Sequence, residues 1–433
     1  MPRRAPSIAF ILLALLIDGM AIGMIAPVLP SRVGAFVTDR ESQSYWVGAF
    51  AVAWGVMHFI AAPMLGAASD RFGRRPILML SIAGLCIDLL LMAFATSPWM
   101  MLAGRVLGGV TASGFIVGAA YVADVTTPEN RSRGLGRLGA AVGVGLILGP
   151  AAGGLMGEVD VQLPFLVAAG LCVLNLAWCA FVLPEAVPEA GRRAFSFGRA
   201  NPFAALASIG TMRGVGTLMI VFGLIKLAQF ILQAVWVLYT EFRFDWGPRD
   251  SGVALFCVGV AAAIAQGVLL GPLLRRFGEQ RTLLIGLASA TVAMVAFGLA
   301  TQGWMIYAII AISLPGLAAA PALQGLVSKS FDAGRQGVAM GALNAVGSLS
   351  AIVAPLAGAP LLAAVSDMPP SDWRLGAPFY LAAACALVGL GLSARRFSAR
   401  VQRSQGPVGG GPPVADPPTP AGVEAGVRPG PSR

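Results

Sequence analysis

Charge is what this chain most conspicuously lacks. Only 12% of its 433 residues are Asp, Glu, Lys or Arg, against about a quarter in a soluble domain. A chain this poor in charge excludes an ordinary soluble enzyme or regulatory domain. Histidine is nearly absent: His58 stands alone in an apolar run with no second ligand near it, so the spacing offers no metal site. The five cysteines, Cys86, Cys172, Cys179, Cys257 and Cys385, lie in apolar runs without paired or metal spacing and read as small hydrophobes. The sequence has no His/Asp/Glu cluster, nucleophile elbow or phosphate loop, and no room for a soluble domain. A membrane enzyme or receptor therefore finds no support.

Apolar residues are what the chain has instead. They make up 57% of it, and mean hydropathy is +0.78. Most of the chain must lie in a lipid bilayer, where only helices and closed barrels satisfy every backbone polar group. Apolar runs fall at about 5–29, 45–67, 77–95, 98–122, 136–157 and 164–183. After a polar stretch they resume at about 217–239, 250–272, 281–300, 304–327, 338–364 and 377–394. Each is near the length that crosses about 30 Å of hydrocarbon. The first resembles a signal peptide, but its span length and the Asp18 within it make it the first membrane helix.

The net charge of +10 suggests nucleic acid, but the basic residues alternate between loops rather than forming a patch. One set of loops carries Arg71, Arg74, Arg75, Arg131, Arg133, Arg137, Arg192, Arg193, Arg199, Arg213, Arg275, Arg276, Arg281, Lys329 and Arg335. The opposite set carries Arg32, Arg40, Arg243, Arg249 and Arg374, mixed with acids. By the positive-inside rule both termini are cytoplasmic, and nucleic acid is not a partner.

The polar stretch divides six spans from six. The expected organisation is 1–183 as a first six-helix bundle, 184–214 as a cytoplasmic linker, 215–396 as a second bundle and 397–433 as a disordered, Pro- and Gly-rich tail. A shift of 205 places Gly66 on Gly271, Arg71 on Arg276, Phe72 on Phe277, Gly73 on Gly278, Pro150 on Pro355 and Gly153 on Gly358. Two matches at one offset favour an internal duplication. The second copy has Arg275 where Asp70 stands in the first. The fold expected is all-α and integral to the membrane, with twelve transmembrane helices in two pseudo-symmetric six-helix bundles.

A charge at the bilayer centre costs roughly 2.5–3.5 kcal/mol on insertion scales, so each one asks for a reason. Asp18, Asp88, Arg105 and Lys226 lie within spans, while Asp124 and Glu241 lie near span ends that water reaches. Two readings stand for Asp18 and Asp88: a proton-carrying carboxylate in a water-filled cavity, or a static ion pair with Arg105. Arg105 can equally hold two helices together or poise the pKa of a carboxylate. Lys226 can snorkel to the interface. Gln229, Gln233 and Trp236 are spaced i, i+4, i+7 and share one helical face. That face suits either a cavity for an amphipathic drug or an interhelical hydrogen bond, as do Gln266, Gln324 and Asn344. In the fifth span Gly145, Gly149, Pro150, Gly153 and Gly154 form a dense small-residue run that lets helices approach closely.

The loop from Gly66 to Pro76 reads Gly-x-x-x-Asp-Arg-x-Gly-Arg-Arg. Asp70 can take arginine or backbone N–H partners there. Arg71, Arg74 and Arg75 hold the loop at the cytoplasmic face, and Gly66 and Gly73 permit tight turns. This pattern resembles the signature loop between the second and third spans of the major facilitator superfamily. The span-five run resembles the motif typical of its antiporters. Asp18 with Pro27-Val28-Leu29-Pro30, Gly104-Arg105, Ala123-Asp124-Val125-Thr126 and Trp236-Val237-Leu238 with Thr240-Glu241 resemble its tetracycline-efflux branch. Pro321-Ala322-Leu323-Gln324 and Arg335-Gln336-Gly337 continue the likeness, which covers about residues 10–360.

The resemblance implies a proton-driven antiporter of the bacterial inner membrane, without a resident cofactor. In that branch a drug complexed with a divalent cation leaves as protons enter. The positions carried over are Asp18, Asp70, Arg74, Asp88, Arg105 and Asp124. The chain departs from the branch in its second half. The coupling histidine of span eight would fall within 260–266, which has none, and the acid of span nine near Ser289-Ala290-Thr291, which has none. Either Asp18 and Asp88 carry the coupling alone, or substrate and energetics differ. A facilitator or symporter of a small metabolite is the alternative.

Overall fold

The computed structural model describes residues 8–187, 216–331 and 336–404. Most of the linker expected at 184–214, Arg335 and the tail beyond residue 404 lie outside the described residues.

The described residues form fifteen α-helices and no strand. In the first half these are α1 (Ile8–Ile25), the short α2 (Leu29–Gly34), α3 (Arg40–Phe72), α4 (Arg74–Ala93), α5 (Pro98–Thr111), α6 (Gly114–Val125), α7 (Pro128–Val159) and α8 (Leu163–Phe181). The second half has α9 (Gly216–Phe244), α10 (Pro248–Ile264), α11 (Leu270–Leu299), α12 (Gly303–Ile312), α13 (Ala319–Ser328), α14 (Gln336–Ala363) and α15 (Ala377–Ser404).

Among the described residues ten helical segments are long and apolar enough to cross a membrane, and the bent pair α12 and α13, at 49°, makes an eleventh. One of the ten, Pro248–Leu299, runs for 52 residues. A straight helix of that length would measure about 78 Å, more than twice the hydrocarbon thickness. It divides at Gly278, where φ is +70°. Counting it as two gives the twelve crossings expected of the chain.

The duplication is visible in the backbone. Gly73 (φ +105°) and Gly278 are the two positive-φ glycines among the described residues, and they sit 205 positions apart. Spans four and ten are both broken at equivalent places. The first breaks between α5 and α6 at Ala112–Ser113, and the second passes through a 3₁₀ turn at Leu314–Ala318. A buried arginine closes the far end of span three in each half. Arg32 donates to the carbonyls of Met92 (3.2 Å), Ala93 (2.9 Å) and Ala95 (2.9 Å), and Arg243 to that of Ala300 (2.8 Å) at the end of span nine. These carbonyls have no intrahelical partner, and away from water they need one.

Within the first half α1 packs on α7 and α8, and α4 on α5 and α8. Within the second, α9 packs on α14 and α15, and α11 on α13 and α15. The halves meet chiefly through α3 on α14 and α7 on α10.

Candidate functional site

Charge distinguishes the two faces of the molecule: the basic face bears the loop 66–76, and the opposite face bears the start of α3. On α7 the glycines and small residues form two stripes. A Cβ at Gly149 would meet the backbone of Met20 at 2.6 Å and of Gly23 at 2.8 Å, so Gly145, Gly149 and Gly153 seat α7 flush against α1. The other stripe, Gly136, Gly139, Gly143, Pro150, Gly154 and Gly157 with the larger Ile147 among them, repeats every three or four residues and faces the second half.

That second stripe is open at one end and closed at the other. Near the opposite face, a Cβ at Gly154 would lie 2.5 Å from the Pro248 carbonyl and 2.9 Å from the Gly252 Cα. Toward the basic face, a Cβ at Gly136, Gly139 or Gly143 would meet nothing within 4 Å. The α3–α14 contact behaves alike. Gly48 abuts Ala359 at 2.5 Å and Gly55 abuts Ile352 at 3.3 Å, whereas Gly337 and Gly341 are open. The halves therefore touch near the opposite face and part toward the basic face, leaving a cleft that opens there.

Asp18 lies half-buried beside the break in span four, where a Cβ at Gly114 would come within 2.7 Å of its Oδ2. It has no hydrogen bond or ion pair among the described residues. The break is held by side chains from neighbouring helices. His58 Nδ1 lies 2.8 Å from the Ala112 carbonyl oxygen, and the Ser113 N–H donates to Ser81 Oγ at 3.1 Å. The His58 ring stacks on Trp54, with centroids 5.0 Å apart.

Asp88 sits elsewhere, fully buried between α4 and α5. Arg105 grips both of its oxygens, through Nε to Oδ1 at 3.1 Å and through a terminal nitrogen to Oδ2. Gly104 and Gly108 make room for it, since a Cβ at either would press on the carboxylate. Of the two in-span carboxylates, Asp88 is paired and Asp18 is not.

On α9, Gln229 and Gln233 are open while Lys226 is half-buried. The Lys226 ammonium donates to Gln229 Oε1 at 3.0 Å and lies 5.7 Å from the Phe222 ring centre. Trp236 departs from the face it shares with the glutamines in sequence. It is buried, with its ring 5.2 Å from that of Phe297. The shared face crosses from the open to the closed part of the cleft, so its last member enters packed protein. Gln324 is half-buried on α13. In span eight the residues standing where the branch has its histidine run into a π-helical turn, Ala265–Leu269, with Gln266 exposed. π-bulges of this kind are frequent at functional sites.

The loop 66–76 forms a charge cluster at the basic face. Arg74 bridges Asp70 (2.7 Å) and Asp124 (2.9 Å) and donates to Ser69 Oγ at 2.5 Å. Arg75 donates to the last carbonyls of α8, Cys179 at 2.9 Å and Ala180. Arg71 lies exposed, 5.2 Å from the Phe72 ring centre. Sequence reasoning passed over Glu185, whose carboxylate accepts the N–H groups of Arg74 (2.8 Å) and Arg75 (3.1 Å) and so caps α4. A lone glutamate just after span six gave no signal of that role. The second half repeats the cluster with reversed signs. At the shift of 205, Arg275 stands for Asp70, Glu279 for Arg74 and Lys329 for Asp124. Glu279 and Lys329 pair at 2.7 Å, as Arg74 and Asp124 do.

Twelve crossings in two repeated halves around a one-sided cleft define a secondary transporter of the alternating-access kind. The chain belongs to the Major Facilitator Superfamily, whose family model matches residues 11–355 and 235–415. It is 37% identical over 366 residues to the class C tetracycline resistance protein of Escherichia coli, covering 84% of this chain and 92% of that one. It is 36% identical over 380 residues to the class G protein of Vibrio anguillarum, covering 88% and 96%. Among solved structures it is similar in fold to the human organic anion transporter MFSD10 (TM-score 0.65, 23% identity, covering 89% and 98%). The nucleoside transporter NupG is likewise similar (TM-score 0.73, 12% identity, covering 90% and 98%). The chain is thus a multi-pass membrane transporter.

Proposed function

We propose that this chain is a proton-coupled antiporter that expels tetracycline-like or other amphipathic drugs by alternating access. The basic face is then cytoplasmic, with both termini on that side of a bacterial inner membrane. The cleft is open to the cytoplasm, ready to load drug. The observation that carries the reading is the unpaired Asp18 carboxylate at the broken fourth span. It is free to exchange a proton as the cleft changes sides, whereas Arg105 holds Asp88 as a fixed counter-ion. The tetracycline resistance proteins among the relatives support a drug as cargo.

The test is tetracycline uptake into everted membrane vesicles energised by respiration. The wild type accumulates drug and loses it on addition of a protonophore, and Asp18→Asn does not accumulate it. Uptake indifferent to the protonophore would overturn the antiport. The absence of a histidine and of an in-span acid from spans eight and nine favours a second reading, a carrier of a small metabolite. Metabolite uptake by whole cells with no drug phenotype would select it.

A further inference from the structure

We propose that Lys226 forms an anion subsite in the cleft and selects substrates that carry an ionised acidic oxygen, such as an enolate, phenolate, carboxylate or sulfonate. The inference rests on the drug-transport reading for the nature of the cargo, and it adds the chemical class that the second half recognises.

Lys226 lies about 15 Å along α9 from Gly216, well inside a helix of 29 residues. Its face is fixed by what the rest of α9 touches. Gly223, Ile231 and Val235 meet α14, at Val346 and Gly358, and Val221 and Leu224 meet α15 at Gly389. Lys226, Gln229 and Gln233 occupy the other side, while Phe222 beside them is buried and reaches α14 at Gly347. A lysine with two open glutamines in mid-span is not a lipid-facing surface. Such groups face a bundle interior or water-filled space. The ammonium does not snorkel toward the near face. It turns to Gln229, one turn deeper into the span.

No carboxylate lies within ion-pair distance of Lys226 among the described residues. The helices packed against α9 bring few acids near it. α13, α14 and α15 carry none, Asp70 of α3 pairs with Arg74, and Glu41 and Asp250 lie in the first turns of α3 and α10, at the opposite face. A mid-span ammonium with one amide oxygen keeps two N–H donors for a ligand. Poor screening in a narrow cleft strengthens its pull on an anion. Gln233, open on the same face one turn beyond Gln229, supplies a neutral donor alongside it.

The charge preference is tested with two xanthene dyes of like shape, anionic fluorescein and cationic rhodamine 123, by fluorescence polarisation on the full chain in lipid nanodiscs. The wild type is expected to bind fluorescein at least about tenfold tighter, as one charge-assisted hydrogen bond implies. Lys226→Gln abolishes that preference, and Lys226→Arg keeps it. No preference in the wild type overturns the proposal, as does an unchanged preference in a folded Lys226→Gln. Should Lys226→Gln not fold, the wild-type preference and its retention by Lys226→Arg decide. Preference without proton-driven tetracycline uptake overturns the antiport and leaves the subsite standing. Uptake without preference overturns the subsite alone.

Discussion

Gly154→Ala should push the transporter out of the conformation described here. The new methyl would lie 2.5 Å from the Pro248 carbonyl oxygen and 2.9 Å from the Gly252 Cα. Both are backbone atoms, which cannot rotate aside as a side-chain tip would. Overpacking of this kind costs about 1–3 kcal/mol. The clash exists only while α7 and α10 touch near the opposite face. The cost therefore falls on this conformer, and its population relative to the alternate state drops about 5- to 150-fold. Replacing Gly139 or Gly341 by cysteine reports the change, because both positions are open toward the basic face. With half-buried Cys86 and Cys257 removed, an impermeant maleimide applied from the basic side labels these positions quickly in the wild type and more slowly in Gly154→Ala. Gly170→Ala is the control, since its methyl would meet nothing within 4 Å. Equal labelling of wild type and Gly154→Ala would refute the reasoning.

Arg105→Met should destabilise the protein by about 3–5 kcal/mol, because it strands Asp88 as a buried unpaired charge. The double variant Asp88→Asn/Arg105→Gln should unfold at a higher temperature than Arg105→Met, and an unaltered melting temperature for Arg105→Met would dismiss the pair as structural. Glu185→Ala removes the carboxylate that caps α4 and should cost about 1–3 kcal/mol, seen as a lower apparent melting temperature. Asp372 titrates in the turn before α15, where hydrogen bonds from the Arg374 side chain and backbone, then its charge, hold the carboxyl below its ordinary value of 3.8. Because the folded value is depressed, the contact contributes fully above about pH 4 and is lost as pH falls through the folded value. Amide exchange of residues 373–376 should speed up in that acid range in the wild type and be insensitive to it in Asp372→Asn.

The twelve crossings were legible because lipid imposes the same demand on every span, an uninterrupted apolar run of set length. The duplication was legible from Gly73 and Gly278, which must adopt positive φ at equivalent turns. The break in span four was not. Ala112 and Ser113 carry no helix-breaking signal, and the break is stabilised by His58 and Ser81 from other helices. The pairing of Asp88 was present in the sequence only as one of two alternatives. A spacing of 17 residues does not say whether two side chains meet across the turn between spans. Trp236 shows the limit of helical periodicity: it gives the face but not the depth at which a cleft ends.

The reversed cluster at Arg275, Glu279 and Lys329 bears on the history of the duplicated gene. Two identical copies would have set like charges at symmetry-related positions on the same face of the membrane. Motion that brings those ends together would then have grown costlier with each charge the loops retained. With the signs exchanged, Asp70 corresponds to Arg275, Arg74 to Glu279 and Asp124 to Lys329. These three symmetric encounters are attractive, although Arg71 and Arg276 remain alike, and each half keeps an internal ion pair, Arg74 with Asp124 and Glu279 with Lys329. Divergence after duplication thus preserved the shape of the ancestral half and inverted the charge at three of its positions.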